Sequence, residues 1–347
     1  MPTKTFFRYS KTLIFSALLL FLSARLFSQT PSPTLSAFDY LTAQEGAAIT
    51  LELDLTDLIN NKNTNQYFPG SLTASDGKMM KVEVRPRGKF RRRICEVPPL
   101  KLKFSKKELK TNGLDTLNEI KMVVPCFSDP KGEELLLREY VAYRMFERLS
   151  PQSVRARLVK VTFRDKHVEA VKAPVYCLLV EHEEQIEARL GGEIIEKYGL
   201  VADSLETEQA ALTALFQCMI GNTDWNVSEM RNIYLFKPGK DKDAKIRLIP
   251  YDFDFAGLVN APYATPKTET GLKNVKERIL LAGGLPDSAL KQAVEKTKGA
   301  QTDLMTFCNS NFLNKNSVKE LNDYMRSFFQ NIDNLLVEGG KGKGDLR

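Results

Sequence analysis

Apolar and polar residues alternate over 48–55, where Ile49, Leu51 and Leu53 share one face, and the same two-residue period returns over 79–84 and 100–104. Such alternation predicts strands with one buried face. Short apolar runs over 120–124, 158–163 and 175–180 predict three more strands. The period then changes. Over 133–149, Leu136, Tyr140, Tyr143 and Leu149 recur near helical spacing, the start is acidic, and Pro151 follows, which predicts a helix. A second helix is predicted over 206–220, closed by Gly221-Asn222. Segments 233–236 and 246–249 predict a hairpin whose turn is rich in Gly, Lys and Asp. The remainder reads as helical, most clearly 318–336.

Strands therefore dominate before Glu181 and helices after it. This shift predicts an α+β chain of two lobes, a strand-rich lobe over 29–181 and a mainly helical lobe over 182–338, with a cleft between them. A Gly/Lys tail over 339–347 has the composition of a disordered segment.

The first 28 residues change the reading of charge and location. Lys4, Arg8 and Lys11 precede an apolar run over 13–22, and small and polar residues lead to Ser28-Gln29, the layout of a cleaved secretory signal peptide. The run is about ten residues against the roughly 20 that span a bilayer, and Arg25 interrupts it. The expected location is the periplasm, the outer envelope or the medium, with no transmembrane span after cleavage. Removing four basic residues and no acidic one takes the formal charge from +7 to +3, so the basic composition does not imply a nucleic-acid partner. Export permits disulfides. Cys95 and Cys126, in polar, loop-like contexts, are the candidate pair, whereas Cys177 and Cys218 sit in apolar segments as buried thiols. Two histidines without a supporting motif set aside a His-based metal site and a Ser-His-Asp triad.

Two acidic segments carry the candidate chemistry: Gly221-Asn222-Thr223-Asp224-Trp225-Asn226 before the first hairpin strand and Pro250-Tyr251-Asp252-Phe253-Asp254-Phe255 after the second. The hairpin brings them together. Alternation puts Asp252 and Asp254 on one face, where two carboxylates repel unless a cation or proton lies between them, which favours a hard divalent ion. The only Trp, beside Asp224, adds weight to a site. The order of elements also matches the parts that phosphoryl transfer needs in a protein kinase. Arg85 to Arg93 would cover phosphates, Lys101 or Lys103 would be the strand lysine, and Glu139 the helix partner. Asp224 would accept a hydroxyl proton, and Asn232, Asp252 and Asp254 would hold metal.

These residues resemble a known family. Asp224-Trp225, Asn232-Ile233-Tyr234 and Ile249-Pro250-Tyr251-Asp252-Phe253-Asp254 look like the signature of CotH-type atypical protein kinases. Arg87-Gly88, Leu137-Arg138 and Tyr176-Cys177-Leu178-Leu179-Val180-Glu181 match earlier blocks, so the resemblance covers roughly residues 80 to 260. It implies a two-lobed protein-kinase-like fold, ATP with Mg or Mn, and phosphorylation of protein Ser or Thr. By this resemblance Asp224 would be the base and Asp252 and Asp254 metal ligands. The element order adds Asn232 to the metal ligands and places Arg87, Gly88, Lys101, Lys103, Glu139 and Glu181 at the nucleotide site, although the family commonly has Asn where Glu139 stands. The chain departs from the family where Lys89-Phe90-Arg91-Arg92-Arg93 replaces small hydroxyl residues and Pro98-Pro99 replaces a lysine pair, as in a divergent subfamily. A second reading is a non-catalytic envelope or surface protein that binds an anionic partner through the Arg-rich loop. A third, a metal-dependent transferase or hydrolase, fits the element order less well.

Overall fold

Seven strands carry the alternation: β1 (Ala47–Leu53), β2 (Phe68–Thr73), β3 (Met79–Pro86), β4 (Leu100–Phe104), β5 (Glu119–Val123), β6 (Ala156–Asp165) and β7 (Val175–Glu181). They lie in a computed structural model that describes residues 1–3, 34–168, 173–239, 241 and 243–334. The signal-peptide and tail assignments lie outside the described residues. The described residues from 35 to 334 form one compact unit.

The strands do not form the lobe expected from the sequence. Neighbours pair antiparallel in the order β1-β2-β3-β4-β5-β7-β6, and β6 returns to pair parallel with β1, from Ala47 opposite Val159 to Leu53 opposite Asp165. This closes a mixed seven-stranded barrel. The two-lobed, protein-kinase-like arrangement is therefore corrected: the chain is a closed barrel with helices and a small second sheet. Closure removes both edges of this sheet, so the barrel itself leaves no backbone row to pair with another chain. Inward residues such as Leu51, Val82, Leu102, Ile120, Val161 and Leu179 fill the barrel as a core of their own.

The other faces of β5, β6 and β7 belong to a second core. Val123, Leu158, Leu178 and Val180 pack there against the long helix Pro130–Leu149 and the helix Thr207–Ile220. That double burial explains why these strands read as apolar runs rather than alternating ones. Strands β8 (Gly192–Ile195), β9 (Ile233–Pro238) and β10 (Arg247–Pro250) form a three-stranded sheet in the order β10-β9-β8 on this core. Helices Asp287–Gly299, Gln301–Cys308 and Lys315–Asn331 complete it. The long helix begins at Pro130, three residues before the start predicted at 133, because Asp129 caps it by accepting from Gly132 N at 2.9 Å and Pro130 occupies its first turn. Arg138 of this helix donates to Ser317 Oγ and Glu320 and so anchors the last helix. Among the described residues, no helix is long and apolar enough to cross a membrane.

Cys95 and Cys126 form a disulfide with Cα atoms 4.5 Å apart, and Cys177, Cys218 and Cys308 are buried free thiols. The bridge ties the short helix Arg91–Ile94 to the chain that enters the long helix, supported by Glu96 N donating to Cys126 O at 3.0 Å. It closes a separation of 31 residues. Cys95→Ala/Cys126→Ala is expected to lower the free energy of unfolding by about 3 kcal/mol in denaturant titrations. A loss below about 0.5 kcal/mol would show that the bridge constrains neither state.

Candidate functional site

A cavity of about 700 Å³ opens where the loop after β3 meets the ends of the small sheet. Arg87, Gly88, Lys89 and Arg91 form its basic side, and Asp224, Asn232, Asp252 and Asp254 its acidic floor. Ile194, Ile195, Ile233 and Leu235 give it an apolar wall. Gly88 turns the loop at a φ of 81°, a left-handed conformation that side chains rarely adopt.

The floor depends on the hairpin ends. Asn232 precedes β9 and Asp252 follows β10, and Tyr251 N donates to Asn232 O at 3.1 Å across the hairpin. Both residues are left-handed, with φ of 53° and 60°, which Asn and Asp tolerate better than most side chains. Asp252 N donates to Tyr143 Oη at 2.9 Å, and Phe253 packs between Tyr143 and Phe216. Anchoring Phe253 in the core leaves both flanking carboxylates on the cavity side, as their alternation implied.

A guanidinium lies between those carboxylates. Arg91 Nε donates to Asp254 Oδ2 at 2.8 Å, and its Nη2 donates to Asp252 Oδ1 at 2.7 Å and to Glu139 at 3.1 and 3.2 Å. Tyr263 Oη donates to the same Asp254 oxygen at 3.1 Å. The side chains of Arg91, Glu139 and Asp254 are 10%, 3% and 6% exposed, whereas Asp252 is 43% exposed and faces the cavity. Burial pushes Glu139 up to about 7 against the pull of Arg91, and it raises Asp254 as well. Arg91 itself stays charged: against burial, the surrounding carboxylates hold it well above its ordinary range.

The ligand set expected for a metal is thus already engaged. Asp252 and Asp254 are spanned by Arg91, and Asn232 Nδ2 donates to Asp224 O at 2.7 Å and to Asp224 Oδ2 at 2.9 Å. Among the described residues, no three His, Cys, Asp or Glu side chains are grouped so as to hold a metal ion. As arranged, Asn232, Asp252 and Asp254 do not fit a divalent ion, because the chain's own guanidinium takes the position between the carboxylates.

Asp224 lines the cavity beside this cluster, with Arg231 Nη1 3.7 Å from its Oδ1. Burial, with Asp252 and Asp254 adding to it, pushes Asp224 up to about 6 despite Arg231. It therefore exchanges a proton near neutrality, as a general base must. Trp225 is no part of the site; its ring is in the core.

On the barrel side, Lys121, the lysine of β5, points outward from the barrel with its ammonium buried. Its Nζ lies 2.6 Å from Glu183 Oε1 and 2.5 Å from Tyr234 Oη, and Tyr234 Oη donates to the same Glu183 oxygen at 2.7 Å. Tyr234 and Tyr251 stack at 4.1 Å, both beneath the ammonium, at 5.1 and 6.0 Å. Burial lowers Lys121 to about 8, and against burial Lys121 holds Glu183 down at about 2, so both are charged at neutral pH. Glu183, Tyr234 and Tyr251 line the cavity in front of Lys121.

Other expected site residues lie elsewhere. Lys101 is paired with Glu119. Lys103 sits 5.3 Å over the Tyr67 ring and lines a separate groove on the barrel. Glu181 is fully buried and held by Arg155 and Arg189, which fastens the end of β7 rather than facing the cavity. Arg85 donates to Tyr67 Oη, and Arg92 binds the carbonyls of Lys62 and Thr64, so much of the Arg-rich run serves the fold. Lys121 was missed although a lone lysine between Ile120 and Met122 marks it. Nothing in the sequence separates Arg91 from Arg92 and Arg93.

No family model matches this chain, and no curated protein matches it either. The CotH resemblance rests on the motif residues alone.

Because Asp224 is raised in the folded state, the stability linked to its protonation is present at low pH and lost as pH rises through about 6. Asp224→Asn should therefore raise the melting temperature more at about pH 8 than at about pH 4. An equal effect at both would show that Asp224 titrates like a free carboxylate.

Proposed function

We propose that the cavity binds a nucleoside triphosphate, ATP by the CotH resemblance, and that Asp224 serves as base in transfer of the terminal phosphoryl group to a protein Ser or Thr hydroxyl. The observation that carries this reading is the position of Asp224. It is a carboxylate poised near neutrality on the floor of a cavity with a basic loop on one side and an apolar, aromatic wall on the other. The wall of Ile194, Ile195, Ile233 and Leu235, with the Tyr234–Tyr251 stack, suits a flat heterocycle. Arg87, Lys89 and Arg91 suit phosphate oxygens.

In this reading the acceptor hydroxyl oxygen attacks the terminal phosphorus as the bond to the bridging oxygen breaks. The hydroxyl proton passes to Asp224, and the nucleoside diphosphate leaves. The basic side chains offset charge on the transferred group. The remaining specificity, and the export implied by the first 28 residues, belong to this proposal too. A purely binding role for the Arg-rich loop is less favoured, since Arg85 and Arg92 are committed within the chain.

The test is transfer of labelled phosphate from ATP to an acceptor protein. Asp224→Asn is expected to lower the rate by about 10²- to 10⁴-fold while ATP affinity changes less than about twofold. The wild-type rate should rise with pH and level off above about 6, where Asp224 is ionised. Full activity in Asp224→Asn would remove the base assignment.

A further inference from the structure

Two carboxylates on one cavity face need a cation between them, and here the chain supplies it. Arg91 reaches Asp254 through Nε and reaches Asp252 and Glu139 through Nη2, all at 2.7–3.2 Å. The arginine is not a surface residue that strayed inward. The chain just after it is held by Arg92 on the carbonyls of Lys62 and Thr64 and by the Cys95–Cys126 bridge. Phe90, just before it, packs against Phe255, which follows Asp254, and against Tyr263, which donates to Asp254. The third nitrogen, Nη1, has no acceptor among the described residues, and Arg91 lines the cavity.

We propose that Arg91 is the resident cation of this site. It stands where the carboxylate pair would otherwise take a divalent ion, so the cavity binds a phosphorylated ligand without metal and presents Arg91 Nη1 to a phosphoryl oxygen. The inference rests on the nucleotide reading for its ligand, but its claim about the carboxylates is independent of it. A guanidinium suits this double task. Its planar fork can bind carboxylates on two edges and still point an N–H pair at an oxyanion, which a lysine ammonium cannot do with the same geometry. The Asp pair and Glu139 then act as positioning residues, fixing the plane of Arg91 rather than ligating an ion.

The experiment uses the full chain and two probes: Mn²⁺ alone, followed by electron paramagnetic resonance, and ATP, followed by calorimetry with EDTA or with Mn²⁺. Wild type should take up no Mn²⁺ that Asp252→Asn abolishes, and its ATP affinity should agree within about twofold in EDTA and in Mn²⁺. Arg91→Met should gain a Mn²⁺ site that Arg91→Met/Asp252→Asn lacks. Arg91→Lys keeps the buried charge and guards against loss of folding in the Met variant. It should bind ATP about tenfold or more weakly in EDTA, for loss of a charged hydrogen bond. Wild-type Mn²⁺ uptake lost in Asp252→Asn, or ATP binding that requires Mn²⁺, would overturn the proposal. So would unchanged ATP affinity in Arg91→Lys. ATP failing to bind in either condition, with Mn²⁺ still excluded until Arg91 is removed, would sink the nucleotide reading and leave the resident cation standing.

Discussion

Three carboxylates and one guanidinium meet where the loop after β3, the long helix and the end of the hairpin converge, and the shape of the cavity follows from that meeting. Each partner comes from a different part of the chain: Arg91 from the barrel side, Glu139 from the long helix, Asp252 and Asp254 from the segment after β10. Such a cluster is not a large net source of stability, because removing charges from water offsets much of their attraction. Breaking it is another matter, since the remaining groups would be buried without a partner, at a cost of about 3–5 kcal/mol. The cluster therefore acts as a constraint on geometry. The negative charge of Asp252 and Asp254 also reaches Asp224 and adds to burial in bringing its proton exchange near neutrality.

The barrel supplies the other constraint. Strands β5, β6 and β7 are the wall between two cores, so residues on successive positions serve different ends. Ile120 and Met122 fill the barrel, while Lys121 between them points outward to Glu183 and Tyr234. This network holds Glu183 ionised at the cavity lining beside the aromatic pair. A buried arginine thus fixes the acidic floor, and a buried lysine fixes Glu183 and Tyr234 of the cavity lining. The apolar wall is part of the small sheet.

Local pattern was legible where a single strand or helix decides it. The strand over 100–104, the helix over 206–220 and the hairpin were readable because alternation, helical spacing and the Gly221 stop act over a few residues. Strand β2 escaped, since Pro69 and Gly70 interrupt its pattern. Closure of the barrel was not readable: it depends on β1 finding β6 more than a hundred residues away, and a strand's own pattern shows which face is buried but not which edges meet. The acidic floor was legible from two short segments joined by a hairpin. The basic partner was not, because six cations in one loop look alike until packing buries one of them. The pairing of Cys95 with Cys126 could be anticipated from their polar contexts. Lys101 and Lys103 were misleading for a physical reason: both face outward on β4, but toward Glu119 and Tyr67 instead of the cavity.

The most direct measurement is the melting temperature of the protein with and without ATP in EDTA. A ligand that binds only the folded state must stabilise it, by about 2.7 kcal/mol at a hundredfold excess over Kd. The account predicts a rise of several degrees with ATP and a smaller one with adenosine, which lacks the phosphates that Arg87, Lys89 and Arg91 would hold. No shift with any nucleoside triphosphate, with or without a divalent ion, would contradict it.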